Sequence, residues 1–128
     1  MSTVINVKDR AQNVLGEPLL ACCTDPMTGY FRDGYCKTDQ YDHGKHVVCA
    51  KLTQEFLDYS FSQGNDLMTA RPVFNFPGLK AGDCWCLCAD RWYEAYKVGL
   101  APQVNLQSTH KKALDIIPLS ILEEMASQ

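Results

Sequence analysis

The sequence lacks any long apolar run. No stretch approaches the roughly 20 consecutive apolar residues that a helix needs to cross a bilayer. The first ten residues mix polar and apolar side chains and contain no apolar signal-peptide core. These absences argue against a membrane partner and against export, so we expect a cytoplasmic protein.

The chain also lacks an excess of basic residues. It has 12 lysines and arginines against 15 aspartates and glutamates, and Lys111-Lys112 is its one adjacent basic pair. Proteins that bind nucleic acids usually carry a clustered basic surface. We therefore expect no nucleic acid among the partners, and instead an unknown protein or a small molecule.

Two common site motifs are missing as well. The sequence has no C-x-x-C pair, which zinc ribbons and thioredoxin-like proteins use, and no glycine-rich stretch that ends in Lys-Ser or Lys-Thr. Five aspartates stand in turn-like contexts, where aspartate normally bonds its own backbone: Asp25, Asp33, Asp42, Asp66 and Asp83. A zinc ribbon, a phosphate loop and an acid–base carboxylate pair are therefore not indicated.

The length and the local patterns predict one small α+β fold. We expect a loosely ordered start over residues 1–12 and a single compact globular domain over residues 13–126. A chain of this size buries roughly two thirds of its unfolded surface, so it needs neither a disulfide nor a metal to fold. The mixture of short strands and helices predicts a small, mostly antiparallel sheet with two to four packed helices.

Several elements can be placed along the chain. Thr53 is a natural N-cap for a helix over "TQEFLDYSFSQGND", in which Gly64 suits the C′ position. Asp33-Gly34 between aromatic runs predicts a two-residue hairpin with Phe31 and Cys36 on its core face. Other predicted elements are strands over "HVVCA", "CWCLC", "APQVNLQ" and "DII", and helices over "DRWYEAYKVG", "STHKKAL" and "PLSILEEMA".

These residues also carry a resemblance. The segments "TDPMTGYFRDGYC", "HVVCAKLTQEFLDYS", "GNDL", "FPGLKAGDCWCLCADRW" and "THKKALDIIPL" occur in this order. Over about residues 13–126 the chain resembles the uncharacterised bacterial and plant family of domain of unknown function 2237 (DUF2237). The resemblance implies one compact domain and a basic residue where this chain has Cys84. It implies no activity, cofactor or catalytic residue.

Cysteine is the one chemically reactive residue that the chain has in quantity. There are seven cysteines, and Cys84, Cys86 and Cys88 alternate along one predicted strand, so their side chains share a face. An odd count without an export signal favours reduced thiols or metal ligands over a disulfide framework. Free cysteine also behaves as a small buried hydrophobe, so the three could simply fill the core.

A metal site is one hypothesis for these side chains. Zinc takes four thiolate or imidazole ligands, often as closely spaced pairs. Cys86 and Cys88 could reach one metal from the same strand face, and ligand softness favours zinc over an iron–sulfur cluster. The complete candidate ligand set is Cys36, His46, Cys49, Cys86 and Cys88.

Thiol chemistry is the competing hypothesis. A nucleophilic cysteine needs a nearby cation, a histidine or a helix N-terminus. Cys88 directly precedes the predicted helix that contains Arg91, and His110 stands at the start of another helix. The candidate catalytic residues are therefore Cys86 or Cys88 with His110 as the base.

The aromatic residues leave two alternatives open. Trp85, Trp92, Tyr93 and Tyr96 are expected to pack in the core with Phe56 and Phe61, but an exposed subset could line a groove with Phe74 and Phe76. The sequence thus favours a small binding or accessory module with a thiol-rich core that could hold a structural metal. The alternative is a thiol-dependent enzyme.

Overall fold

A computed structural model describes residues 11–127. Its strands are β1 (His46–Lys51), β2 (Cys84–Cys88) and β3 (Gln103–Val104), and its α-helices are α1 (Gln54–Ser62), α2 (Ala89–Lys97) and α3 (Leu119–Glu124). Short 3-10 helices cover Pro72–Phe74, Leu106–Ser108 and Lys111–Asp115. The architecture confirms the predicted α+β class.

The three strands form one antiparallel sheet in the order β2-β1-β3, with β1 in the centre. His46 lies opposite Cys88, and Ala50 lies opposite both Trp85 and Val104. The register shifts between His46 and Val48, which marks a bulge at the start of β1. β1 is buried over its middle four residues, so both faces of the sheet are covered.

The main core lies between the sheet and the helices. Its largest fully buried side chain is Trp92, whose indole N–H donates to the Pro102 carbonyl at 3.0 Å. This hydrogen bond satisfies the one polar atom of the indole, so the whole ring can be buried without a desolvation penalty. Other fully buried core residues include Val47, Val48, Phe56, Leu57, Ile117 and Leu122.

The helix signals in the sequence are confirmed. Thr53 caps α1, because its hydroxyl oxygen accepts the Phe56 N–H at 3.1 Å. Gly64 follows the helix in the left-handed conformation, with φ at 87°. α2 starts directly after β2 and is followed by Gly99 at φ 77°.

The predicted hairpin at Asp33-Gly34 is wrong, because the segment forms an irregular loop. Arg32, not Asp33, takes a left-handed conformation, at φ 54°. The Gly34 N–H donates to the Thr28 carbonyl at 2.9 Å, and Asp33 accepts the Tyr35 N–H at 3.0 Å. The loop is therefore held by contacts with the preceding residues and not by strand pairing.

Four further local predictions are wrong. Phe61 is 57% exposed and Phe31 is 49% exposed, so neither is a core residue. The predicted helix "STHKKAL" is divided into two 3-10 turns, with His110 as the N-cap of the second, and "DII" forms no strand.

Most of the predicted loose start at residues 1–12 lies outside the described residues. Among residues 11–127, no helix has the length and apolar character that spanning a membrane requires.

Candidate functional site: a cleft beside a sulfur cluster

Four cysteines form two neighbouring disulfides beside the sheet. Cys22 is bonded to Cys49 and Cys36 to Cys86. The Sγ atoms of Cys22, Cys36 and Cys49 all lie within 4.8 Å of one another, which makes the four sulfurs one cluster. The expectation of reduced thiols is therefore wrong for these four residues.

The loop over residues 22–36 brings the sulfurs together. The Cys22 N–H donates to the Gly34 carbonyl at 2.7 Å, which closes the loop on itself. Thr28 is fully buried, and its hydroxyl oxygen accepts the Cys86 N–H at 2.8 Å, which attaches the loop to β2. The loop thus replaces a strand partner along the free edge of β2 and carries Cys22 and Cys36 to the sheet.

The predicted metal ligands divide into two groups. Cys36, Cys49 and Cys86 meet in the sulfur cluster, joined by Cys22, which the candidate ligand set did not include. A disulfide sulfur offers no thiolate to zinc, so zinc binding by the cluster stays a prediction for the reduced chain. His46 and Cys88 do not join the cluster, and both line a cleft next to it.

Three cysteines among the described residues carry free thiols. Cys23 and Cys84 are neighbours, and burial, together with the charge and hydrogen bond of Cys23, raises the pKa of the Cys84 thiol. The third is Cys88, which lies apart from them at the junction of β2 and α2. Of the three predicted thiols on the strand face, only Cys88 thus remains both free and positioned at a cleft.

The cleft has a volume of about 570 Å³, which is within the range of small-molecule sites. It lies between the loop over residues 29–32, β2, the start of α2 and the segment over residues 65–76. Its apolar wall consists of Phe74, Phe76, Trp85 and Leu87. Two of these aromatics are the residues that the groove alternative in the sequence analysis named.

Arginines are concentrated in this cleft. Arg32, Arg71 and Arg91 are the three arginines of the described residues, and all of them line it. None of the seven described lysines does so. Asp66 is the one carboxylate residue among the lining residues. The cleft is therefore positively charged in a chain whose formal net charge is −3.

Arg32 occupies an unusual position in the wall. Its guanidinium lies over the Trp85 ring, 5.2 Å from the centroid, and one terminal N–H group donates to the Gly29 carbonyl at 2.6 Å. Its Nε atom is buried without a hydrogen-bond partner, alone among buried side-chain polar atoms of residues 11–127. Such an unsatisfied donor, on a residue with a left-handed backbone, is typical of a site that a ligand completes.

Asp42 and His46 form a hydrogen-bonded pair beside the cleft, which His46 lines. The His46 Nδ1 atom lies 2.7 Å from an Asp42 carboxylate oxygen, and the other carboxylate oxygen accepts the His46 N–H at 2.9 Å and the Thr38 hydroxyl at 3.0 Å. The Asp42 side chain is 1% exposed, whereas that of His46 is 43% exposed. Asp42 therefore fixes the ring and leaves its Nε2 edge free of this pair.

Cys88 faces His46 across the sheet. The two residues are direct partners in the β1–β2 register, and both line the cleft. Burial raises the pKa of the Cys88 thiol, and the backbone N–H groups of Arg91 and Asp90 at the start of α2 oppose this effect only partly. The thiol is thus protonated at neutral pH in the free protein.

His110, the base expected from the sequence, lies elsewhere. It lines a separate depression with Lys111 and Lys112, and its Nδ1 accepts the Lys112 N–H at 2.9 Å. Burial and the Lys112 charge lower the pKa of His110. The structure does not bring it to the cleft that Cys88 lines, and Cys86 is bonded to Cys36. Of the predicted catalytic set, only Cys88 is a free thiol at this cleft.

The chain has a match among known protein families. Residues 12–126 match a family described as an uncharacterized protein conserved in bacteria, DUF2237. The chain is a member of the DUF2237 family. The match covers nearly the same residues as the resemblance noted in the sequence. A comparison with curated proteins finds no match, so the function of this DUF2237 domain has to be argued from its cleft.

Sequence reasoning missed Asp42 and the arginines of the DUF2237 cleft. Asp42 stands four residues before His46, but it lies in a turn-like context, where an aspartate normally bonds its own backbone, so the sequence did not pair it with His46. The amino-acid composition contained one signal for the arginines of an anion site. The sequence has four arginines against eight lysines, and arginine is the residue that binds carboxylates and phosphates through two parallel hydrogen bonds.

The Asp42–His46 pair predicts a measurable pH dependence. Burial alone would raise the pKa of Asp42, but hydrogen bonds and charge from His46, and a bond from Thr38, hold it below its ordinary value. Ionised Asp42 therefore stabilises the fold above about pH 4, and this contribution is lost as the pH falls through the lowered folded-state pKa.

Asp42→Asn tests this directly by chemical denaturation. The free energy of unfolding of the wild type should exceed that of Asp42→Asn by more at pH 7 than at pH 3. The exposed Asp58→Asn variant is the control and should show a small difference at both pH values. A difference for Asp42→Asn that does not change with pH would contradict the assignment.

Proposed function

We propose that this DUF2237 domain is a small binding module whose cleft takes a small molecule with a carboxylate or phosphate group and an apolar part. The observation that carries the proposal is the different location of the arginines and the lysines. Every described arginine lines one cleft of about 570 Å³, and every described lysine lies outside it. Lysine would suffice for a solvated surface, so the selection of arginine favours a bound anion.

The arginines keep free donors in this arrangement. One terminal nitrogen of Arg91 donates to the Gln63 carbonyl at 3.1 Å and lies 4.0 Å from Glu94, and Arg32 uses one terminal nitrogen on Gly29. A guanidinium has five N–H donors, so most of the donors in the cleft are available. Two or three of them can hold one anionic group in a charge-assisted, bidentate manner.

The aromatic wall supports an apolar part of the ligand. Phe74 is 66% exposed at the rim, and Phe76 packs edge-on against Trp85 with ring centroids 5.3 Å apart. An exposed phenylalanine beside a concave basic site gains free energy when a ligand covers it. The combination favours a small organic anion over a bare inorganic ion.

The thiol-rich core supports the cleft from behind. Cys86 lines the cleft, and its disulfide partner Cys36 belongs to the loop that also supplies Arg32. In this proposal the disulfides keep the loop and its arginine in place, which is an accessory role for sulfur. The cytoplasmic location stays a prediction, and the two disulfides weigh against it because such bonds are rare in reducing compartments.

Calorimetric titration with glutarate, a small dicarboxylate, and with inorganic phosphate tests the proposal. Arg71→Gln and Arg91→Gln should each weaken binding of the better ligand by about 10-fold, the loss expected for one charge-assisted hydrogen bond. Lys97→Gln is the matched control, because Lys97 lies on the same helix as Arg91 but outside the cleft.

Weaker binding in both arginine variants with unchanged binding in the lysine variant supports the proposal. Binding that is unaffected by the arginine changes, or weakened equally by Lys97→Gln, overturns it, because a diffuse surface charge would then account for the affinity.

A further inference from the structure

We infer that Cys88 is a catalytic nucleophile, with His46 as its general base, and that it takes the acyl group from a small ester or thioester that carries a carboxylate. The inference rests on the proposed function, since the arginines of the cleft would hold that carboxylate. It assigns to the cleft a chemical step that binding alone does not require.

The register of the sheet carries the inference. Directly opposed residues on neighbouring antiparallel strands have Cβ atoms about 4.5–5.5 Å apart and point to the same face. Cys88 and His46 are such a pair, and both line the cleft. The pairing therefore places the two residues side by side on neighbouring strands of a packed sheet, which holds them more firmly than loops would.

The buried carboxylate gives the imidazole a defined role. Asp42 holds the His46 Nδ1 atom at 2.7 Å, so this nitrogen carries the ring proton and Nε2 keeps its lone pair. Gly44 leaves room for this ring position, because a Cβ atom there would stand 2.9 Å from the His46 Cε1 atom. Cys88, His46 and Asp42 thus supply the three kinds of group, a nucleophile, a base and an orienting carboxylate, that together activate thiols and hydroxyls in acyl transfer.

Burial of Cys88 makes the base necessary. The raised pKa keeps the thiol protonated at neutral pH, so it reacts as a nucleophile only if a neighbour accepts its proton during attack. The other free thiols do not compete for the same ligand, because neither Cys23 nor Cys84 lines this cleft.

The step balances without an added reductant or oxidant. The Cys88 sulfur attacks the acyl carbon while its proton moves to the Nε2 atom of His46. The bond from the acyl carbon to the leaving alkoxide or thiolate breaks, and His46 returns the proton to that leaving group. Water then attacks the acyl-Cys88 thioester, which releases the carboxylic acid and restores the thiol.

Two activated esters test the inference. The mono-para-nitrophenyl ester of glutaric acid keeps one free carboxylate, and para-nitrophenyl butyrate is its neutral counterpart of similar size. With the wild type, the anionic ester should release a burst of nitrophenolate close to one equivalent and add one acyl group to Cys88 in peptide mass spectrometry. The anionic ester should react at least 10-fold faster than the neutral one.

Single substitutions distinguish the roles of Cys88, His46 and Gly44 in the acylation step. Cys88→Ala should abolish the burst, and His46→Gln should slow acylation by about 100-fold, a common contribution of a general base. Gly44→Ala should also slow it, because the added methyl group moves the ring without removing the imidazole. His110→Gln and Cys84→Ser are the matched controls and should react like the wild type. Each variant is compared at equal folded fraction, measured by circular dichroism.

Asp42 is a positioning residue in this scheme, so its test needs a readout beyond rate. In Asp42→Asn the rate of acylation should fall while glutarate binds as it does to the wild type, and Asp42→Glu, which keeps a carboxylate, should recover part of that rate. If Asp42→Glu reacts as slowly as Asp42→Asn, or if glutarate binding falls together with the rate, Asp42 has a structural role only and its part in the inference is overturned.

The failures of the two proposals can be separated. If the anion binds and the arginine variants weaken it, but Cys88 is not acylated or His46→Gln reacts like the wild type, the nucleophile is overturned and the binding module stands. If Cys88 is acylated with dependence on His46, but both esters react equally, the nucleophile stands and the anionic substrate class is overturned. Acylation of Cys23 or Cys84 in preference to Cys88 overturns the assignment of the nucleophile.

Discussion

Replacing Cys36 and Cys86 together by alanine is expected to lower the free energy of unfolding by roughly 4 kcal/mol. The disulfide closes a segment of 50 residues, and this constraint removes conformational freedom mainly from the unfolded chain. It also joins the loop that carries Arg32 to β2, so its loss should open the cleft as well as weaken the fold. Chemical denaturation monitored by tryptophan fluorescence measures the change.

A second pair of cysteines provides the control. Cys23 belongs to the same loop as Cys36, and Cys84 belongs to the same strand as Cys86. The thiols of Cys23 and Cys84 are neighbours but form no disulfide. Replacing both by alanine should change the free energy of unfolding by less than about 1 kcal/mol. If the two double variants lose similar stability, the disulfide at Cys36–Cys86 does not constrain the chain, and the thiols act only as core filling.

Chemical reduction extends the same argument. A reducing agent should destabilise the wild type by more than it destabilises Cys36→Ala/Cys86→Ala, because the variant retains only the Cys22–Cys49 bond, which closes 27 residues. Reduction also turns the four sulfurs into neighbouring thiols, and zinc binding by these thiols stays a prediction for the reduced chain.

The parts of the fold that local patterns determine could be predicted from the sequence. α1 begins after Thr53, whose hydroxyl caps it, and it ends before Gly64, which alone tolerates a left-handed φ at little expense. The alternation in "CWCLC" predicted β2 correctly. In each case the deciding interaction lies within a few residues along the chain.

The errors occur where distant residues decide the structure. The Asp33-Gly34 segment has a hairpin sequence, yet hydrogen bonds to Thr28 and Cys22 fold it into a loop. The disulfides depend on that loop lying against β2, so cysteine spacing alone did not reveal them. The sequence pairs His110 with Cys88 because both stand at predicted helix starts, whereas the register of β1 and β2 places His46 opposite Cys88.

The candidate site illustrates the same limit. Its thiol was predicted because a cysteine before a helix has a local signature. Its base, its orienting carboxylate and its arginines come from four other segments, and only the sheet and the loop contacts assemble them. Residue type offered one usable clue, since arginine and lysine are not interchangeable in anion sites.

Gly29→Ala is expected to lower the free energy of unfolding by about 3 kcal/mol, because two penalties combine at this position. Gly29 has φ at 101°, which an alanine rarely adopts, and an added Cβ atom would collide with the Tyr35 carbonyl oxygen. Gly82→Ala is the matched control, because Gly82 has φ at 95° but no heavy atom within 4 Å of the added carbon, so it should lose only about 1 kcal/mol. Since Gly29 also accepts the bond that holds the Arg32 guanidinium, Gly29→Ala should weaken glutarate binding while Gly82→Ala leaves it unchanged. Equal losses of stability in the two variants would show that backbone conformation alone matters at Gly29 and that the loop can move away from Tyr35.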